Sequence, residues 1–209
     1  MRIVDALGDL LVGAACPGCA APSWGACPSC RNEVAAPRLR MVVDGMDVIG
    51  LAGYAGPAGR MVRSLKESGA WSVARVCGPG LGRSLDLLGS PGLALVPVPS
   101  SASAIRRRGF HHSLALARAA RRPTDRVADV LRRNRTVADQ AGLDQSARQG
   151  NQLGSMRPLG PADRVAEAVV VDDICTTGAT LAEAAHTLRT AGWRVAGAVV
   201  VAITERNHH

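Results

Sequence analysis

Two adjacent aspartates, three threonines and a glycine stand together in the run Val169-Val-Val-Asp172-Asp173-Ile174-Cys175-Thr176-Thr177-Gly178-Ala179-Thr180-Leu181. In physical terms this is an apolar strand that stops at two carboxylates, then a loop rich in hydroxyls, then a helix. The loop offers backbone N–H groups and threonine hydroxyls at a helix N-terminus, where the helix dipole favours an anion. Such a loop is suited to a phosphate. Asp172 and Asp173 can accept hydrogen bonds from vicinal hydroxyls, as on a ribose. Phosphate and diol one sugar apart describe a ribose 5-phosphate. The plainer reading is a strand, an acidic turn and an N-capping threonine with no ligand. It leaves two mutually repelling acids unexplained, and acids gathered at a strand end usually serve a site.

A second cluster is Cys16-Pro-Gly-Cys19 with Cys27-Pro-Ser-Cys30. Two C-x2-C knuckles, each turned by Pro or Gly, aim four thiolates at one centre, the ligand set of structural tetrahedral Zn2+. The seven residues between the knuckles make a short but workable spacer for a zinc ribbon. Paired disulfides are the other use of such a set, and they need export to an oxidising compartment. The stretch Val12-Gly-Ala-Ala-Cys16 faintly resembles a lipoprotein cleavage site. Against export, Arg2 is the only basic residue before it, and Asp5 and Asp9 interrupt the apolar stretch. Residues 1–15 read instead as an amphipathic helix with Val4, Leu7, Leu10 and Leu11 on one face, and a cytoplasmic protein is expected. Cys77 and Cys175 read as core or loop fillers.

These groups need elements to hold them. Strands are expected over residues 48–54, 93–99, 165–171 and 194–203. Helices are expected over 58–68, 71–88 with an interruption near Gly78-Pro79-Gly80, 113–121 and 179–191. Residues 128–132 read as a short strand or a helix end, and 134–164 show no clear period. Strands apolar on both faces, alternating with helices, indicate a parallel sheet covered on both sides. That is a doubly wound α/β fold, which binds ligands at the carboxyl ends of its strands. Residues 1–36 are expected to form a metal-bound appendage and 37–209 the main domain.

The chain has 209 residues, 47% hydrophobic and 20% charged. That composition excludes a wholly disordered chain, and the length suffices for a core without disulfide staples. No run of 18 apolar residues is present, so no membrane-spanning helix is expected. Aromatics make up only 2%, so the core must be aliphatic. The net charge is +8, and Lys66 is the sole lysine among 25 basic residues. Eleven arginines lie between residues 101 and 150 against four aspartates, a net of +7. Such an excess invites an anionic partner near the middle third.

The segment 169–181 resembles the 5-phosphoribosyl-1-pyrophosphate (PRPP) loop of type I phosphoribosyltransferases. The whole chain resembles the ComF family of phosphoribosyltransferase-like competence proteins. Besides the four-cysteine module and the PRPP loop, the likeness is carried by Tyr54, Lys66-Glu-Ser-Gly69, Val96-Pro-Val-Pro99 and Arg108-Gly-Phe110. Gln140, Leu143, Arg148 and Asn151 follow in family order. The resemblance implies a type I phosphoribosyltransferase-like parallel sheet flanked by helices. By it, Asp172 and Asp173 bind the ribose hydroxyls, and Thr176, Thr177, Gly178, Ala179 and Thr180 hold the 5-phosphate. Ser100 and Ser101 form the pyrophosphate loop, and Mg2+ binds mainly through the ligand's own oxygens.

Arg106, Arg107 and Arg108 lie beside that loop. They either stabilise charge leaving with pyrophosphate or form a basic face for nucleic acid, and both readings stand. The implied activity is Mg2+-dependent transfer of ribose 5-phosphate to an unknown acceptor, linked by family to DNA uptake. The alternative is a non-enzymatic PRPP-fold module that binds single-stranded DNA, which the scarcity of stacking aromatics disfavours.

The chain departs from the family in three places. His111-His112 stands where the family tends to show Asn-Gln, and a partly exposed helix start is expected there. Thr176 replaces the acid that serves the base in purine-type transferases, which argues against purine salvage. Phe110 and Trp193 are the only aromatics in the later half that could stack a base, while Tyr54 and Trp71 could contribute from the hood side.

Overall fold

The computed structural model describes residues 15–67, 71–89, 91–134, 154–160, 162 and 166–204. The helix expected over residues 1–15 falls almost wholly outside them, as do Ser68, Gly69, Gln140, Leu143, Arg148 and Asn151. In chain order the elements are α1 (Pro28–Glu33), β1 (Leu39–Val43), β2 (Met46–Gly53), α2 (Pro57–Glu67), α3 (Trp71–Leu85) and β3 (Ala94–Pro97). They continue with α4 (Ala102–Arg108), α5 (His112–Ala120), β4 (Arg126–Val127), β5 (Leu131–Arg133), β6 (Met156–Pro158), β7 (Ala168–Cys175), α6 (Ala179–Thr190) and β8 (Val195–Ile203).

Six strands form one sheet in the order β1-β2-β8-β7-β3-β4. All neighbours from β2 to β4 run parallel. Only β1 is antiparallel, folded onto β2 through the two-residue turn Asp44-Gly45, where both φ angles are positive. An Asp-Gly pair between apolar runs is a strong hairpin signal. That signal is present in the sequence, yet β1 is not among the expected strands.

The central strands are apolar on both faces because both faces are covered. Ile49, Leu51, Val169, Val171, Val199 and Val201 pack in one cluster with Met61 and Leu65 of α2, Leu81 of α3 and Leu116 of α5. Their neighbours Val48, Val96, Val170 and Val200 pack in another with Leu181 and Leu188 of α6, Trp193 and Met156. The period of two along each strand sorts side chains between the two layers. The fold is therefore the expected mixed α/β sheet flanked by helices.

Four expectations are corrected. The helix over residues 71–85 is continuous through Gly78-Pro79-Gly80. Its glycines answer close approaches on two sides: a Cβ on Gly78 would stand 2.5 Å from the Ala119 carbonyl oxygen, and one on Gly80 would collide with that of Val34. Pro79 lies on the exposed side between them. The strand expected to stop before Asp172 runs on to Cys175, so the two aspartates belong to β7 and are not an exposed turn. Residues 128–132 are neither one strand nor a helix end; β4 precedes them, and β5 pairs with β6 in a separate two-stranded sheet. The fourth correction concerns His111-His112 and is described with the site.

Among the described residues no helix is long and apolar enough to cross a membrane. Cys77 is fully buried, and burial pushes its thiol up to about 12, as suits an inert core filler. Cys175 is also buried, with Sγ 3.5 Å from Met41 Sδ.

Candidate active site

The chain leaves β3 through α4 and α5 towards β4 on one side, and leaves β7 through α6 towards β8 on the other. Two neighbouring strands whose connections depart in opposite directions open a crevice beyond their carboxyl ends. Here that crevice measures about 390 Å3, and Ser100, Ser101, Arg108, Asp172, Asp173, Thr176 and Thr180 all line it. Lys66, His112, Ser113 and Arg133 line it too, although none of them is among the expected site residues. Arg106, Arg107, Thr177 and Ala179 are not in its wall. Gly178 lies beneath the loop at the N-cap of α6 with φ 82°. A Cβ there would meet Val43 Cγ2 at 2.5 Å, so the left-handed turn and the tight contact both call for glycine. Ala179 N–H donates to Thr177 Oγ1 at 3.3 Å, which tightens the same turn.

Asp172 and Asp173 are only 7% and 2% exposed. Two carboxylates buried side by side are expensive unless compensated, and each has compensation. Asp172 Oδ1 accepts from Ser113 Oγ at 2.9 Å and from the Asp173 N–H at 2.9 Å. Lys66 Nζ stands 2.8 Å from Asp173 Oδ2, an ion pair without an aligned hydrogen bond. Burial, and then the charge of Asp173, push the Asp172 carboxyl up to about 7.

His112 is 8% exposed and Phe110 6%, so of the pair expected at a partly exposed helix start His111 is partly exposed and His112 is buried. His112 Nε2 lies 3.6 Å from Asp173 Oδ2 and 3.8 Å from Asp172 Oδ1. On the other side of the ring, Nδ1 lies 3.2 Å from Arg108 Nη1 and 3.1 Å from Ser100 Oγ. Burial pulls His112 down to about 4, with Asp173 opposing, so the ring is neutral at pH 7. His111 caps α5 through Nδ1, which accepts from Leu114 N–H at 2.9 Å, while its Nε2 lies 3.0 Å from Ser100 N. A neutral imidazole has one acceptor nitrogen. The ring therefore serves either the helix or the loop at any instant, and the Ser100 N–H can turn to an anion. Burial also lowers the His111 pKa. Arg133 Nε donates to the Pro99 carbonyl at 3.1 Å and holds the same loop from β5.

A family model of the phosphoribosyl transferase domain matches residues 104–209. The chain belongs to that family. No curated protein matches it. The matched segment contains the whole acid-pair strand and the loop that follows it, and a phosphoribosyl transferase domain implies PRPP binding. Lys66 comes from α2, upstream of the match. The sequence marks it in two ways: it opens the Lys66-Glu-Ser-Gly69 segment that carries the family likeness, and it is the one lysine in a chain that otherwise uses arginine.

Phe110 and Trp193, the two aromatics within the matched residues, are buried and serve packing. Phe110 lies against Trp71 with centroids 4.9 Å apart, and Trp193 is 5% exposed with the Arg126 guanidinium over its ring. Two arginines of the basic middle third are held in ion pairs. Arg122 reaches Asp125 at 2.6 Å and Asp86 at 2.5 Å, and Arg132 reaches Asp129 at 2.7 Å.

At the other end of the chain the Sγ atoms of Cys16, Cys19, Cys27 and Cys30 lie within 4.8 Å of one another. Tetrahedral zinc with bonds of about 2.3 Å sets its sulfurs about 3.8 Å apart; Cys19 and Cys27 stand at 3.7 Å. Cys16 Sγ accepts from Gly18 N–H at 3.4 Å and Cys27 N–H at 3.3 Å. Burial pushes the Cys16 thiol up, but these donors outweigh it and bring it down to about 6. The donor set fits a structural metal such as zinc. The module is also tied to the domain: Arg60 of α2 donates to the Gly18 carbonyl, and Cys16, Cys30 and Val34 share a core with α2 and α3.

Proposed function

We propose that the protein binds PRPP in the crevice beyond β3 and β7 and transfers its ribose 5-phosphate to an acceptor nucleophile. Asp172 and Asp173 take the ribose hydroxyls, and Thr176, Thr177, Gly178, Ala179 and Thr180 take the 5-phosphate at the start of α6. Ser100 and Ser101 take the pyrophosphate, with Arg108 beside them. The acceptor's lone pair forms a bond to ribose C1 as the C1–O bond breaks. Pyrophosphate leaves with that electron pair, and the acceptor's proton passes to solvent. Cations near the leaving group stabilise the charge that develops there. His112, Asp172 and Asp173 bring three donor atoms within 4.8 Å of one another, but Lys66 already stands 2.8 Å from Asp173 and competes with a cation there. That favours Mg2+ carried on the ligand's own phosphate oxygens, where it would neutralise pyrophosphate charge. Arg106 and Arg107, outside the crevice wall, contribute at most long-range charge.

We also infer that the chain is a ComF-type protein acting in the cytoplasm during DNA uptake. Its residues 1–36 would form a zinc-ribbon-like module on a domain spanning 37–209. The cysteine module joined to a PRPP loop supports that placement. A second reading, a module that handles single-stranded DNA without turnover, gains from one observation. Trp24 and Trp71 are 71% and 54% exposed and offer stacking faces that the buried aromatics do not.

The observation that carries the main reading is the carboxylate pair buried at the switch point beside the Gly178 loop. Calorimetric titration of PRPP with Mg2+ tests it. The wild type should bind, and Asp172→Asn with Asp173→Asn should lose affinity by about tenfold or more, as expected when hydrogen bonds to charged groups are removed. Equal affinity in the double variant would overturn the site. Retention of single-stranded DNA by a wild type that binds no PRPP would favour the second reading.

A further inference from the structure

A guanidinium can only donate hydrogen bonds. The 3.2 Å contact between Arg108 Nη1 and His112 Nδ1 therefore fixes the tautomer: Nδ1 carries the lone pair, and Nε2 carries the proton. That proton faces the two carboxylates, with Nε2 3.6 Å from Asp173 and 3.8 Å from Asp172. The same lone pair also faces the Ser100 hydroxyl at 3.1 Å. One acceptor thus serves two donors, and either is released at the loss of a bond already shared. The ring itself is buried, between α5 and the end of β7, and cannot swing out to solvent.

Within the PRPP-binding reading, we infer that His112 is a positioning residue that links the ribose half of the site to the pyrophosphate half. Its Nε2–H faces the carboxylate pair at 3.6 and 3.8 Å, beyond direct hydrogen-bond distance, and acts on it as a nearby dipole. Its Nδ1 holds Arg108 and Ser100 at the crevice wall, where a pyrophosphate would meet them. The three arginines of α4 are then unequal: Arg108 is aimed by His112, and Arg106 and Arg107 are not. Occupancy of one half should be felt in the other, because both act on a single ring.

Two conservative variants separate the two sides of that ring. In His112→Asn the side-chain oxygen can stand near the place of Nδ1, while nothing replaces Nε2. In His112→Gln the amide can reach the place of Nε2, while nothing replaces Nδ1. The probes are inorganic pyrophosphate with Mg2+, ribose 5-phosphate, and each titrated in the presence of the other. His112→Gln should weaken pyrophosphate about tenfold, the cost of losing an acceptor for a charged donor, and leave ribose 5-phosphate within twofold. His112→Asn should show the reverse.

Arg108→Met tests the link from its solvent end without disturbing buried packing. It should match the pyrophosphate loss of His112→Gln, and the double variant should lose no more than either alone. Equal pyrophosphate affinity in the wild type, His112→Gln and Arg108→Met would overturn the inference. So would fully additive losses. A wild type that binds neither PRPP nor pyrophosphate would overturn the PRPP reading along with it, whereas binding that is insensitive to these variants removes His112 alone.

Discussion

Asp172 and His112 face each other at 3.8 Å, yet burial moves their titrations in opposite directions. The Asp172 carboxyl rises from 3.8 to about 7 and the His112 ring falls from 6.5 to about 4. A carboxyl whose folded pKa is raised contributes stability at low pH, and that contribution is lost as pH climbs between the two values. A histidine whose folded pKa is depressed burdens the fold as pH drops from 6.5 towards 4. The melting temperature of Asp172→Asn relative to wild type should therefore rise between pH 4 and 7. That of His112→Asn relative to wild type should rise as pH falls from 6.5 to about 4. Parallel melts across pH check both slopes, and two flat differences would mean that neither group titrates as a buried one. The place of the acid pair in the chain is legible from residue types, but its burial is not. Charged types at a strand end look like a turn, and only the surrounding Lys66 of α2 and His112 and Ser113 of α5, brought from two other segments, make a buried continuation possible.

At the scale of elements, α3 turns on how closely two backbones approach it. A glycine inside a helix ordinarily favours replacement by alanine, by about 1 kcal/mol. Gly80 is expected to behave oppositely, because a Cβ would strike the Val34 carbonyl and come within 3.0 Å of Leu51 Cδ1. Gly80→Ala should destabilise the protein by about 1–3 kcal/mol through forced displacement of the helix, read from denaturant unfolding; a gain in stability would mean that α3 and the residues after α1 are not in contact. The Gly-Pro-Gly triplet shows why local signals mislead here. Read alone it punctuates a chain, whereas in the fold it thins one helix so that two neighbours can press against it. By contrast β7, α6 and β8 were legible, because long apolar runs and a regular helical stripe leave little choice of partner. β1 was legible in principle through Asp44-Gly45, and β5 and β6, three residues each, carry too little pattern to be read.

At the scale of the whole molecule, the cysteine module is part of the same apolar core as α2 and α3. Removal of its metal should therefore be felt beyond the knuckles. Cys16→Ser with Cys19→Ser, or a strong chelator, should release about one zinc per chain and lower the melting temperature, since such sites fold on metal. Zinc content measured against protein decides it: unaltered content in the variant would defeat the four-thiolate site. The pairing of β2 with β8 has a consequence for how the protein is made. Val48 lies beside Ala198, 150 residues later in the chain. Until β8 has left the ribosome, β2 has only β1 on one edge, and the run Val48–Ala52 presents an open, apolar strand to anything nearby. Contacts this distant in sequence close slowly, so a nascent chain would spend that interval relying on chaperones, and yield on expression would track their supply.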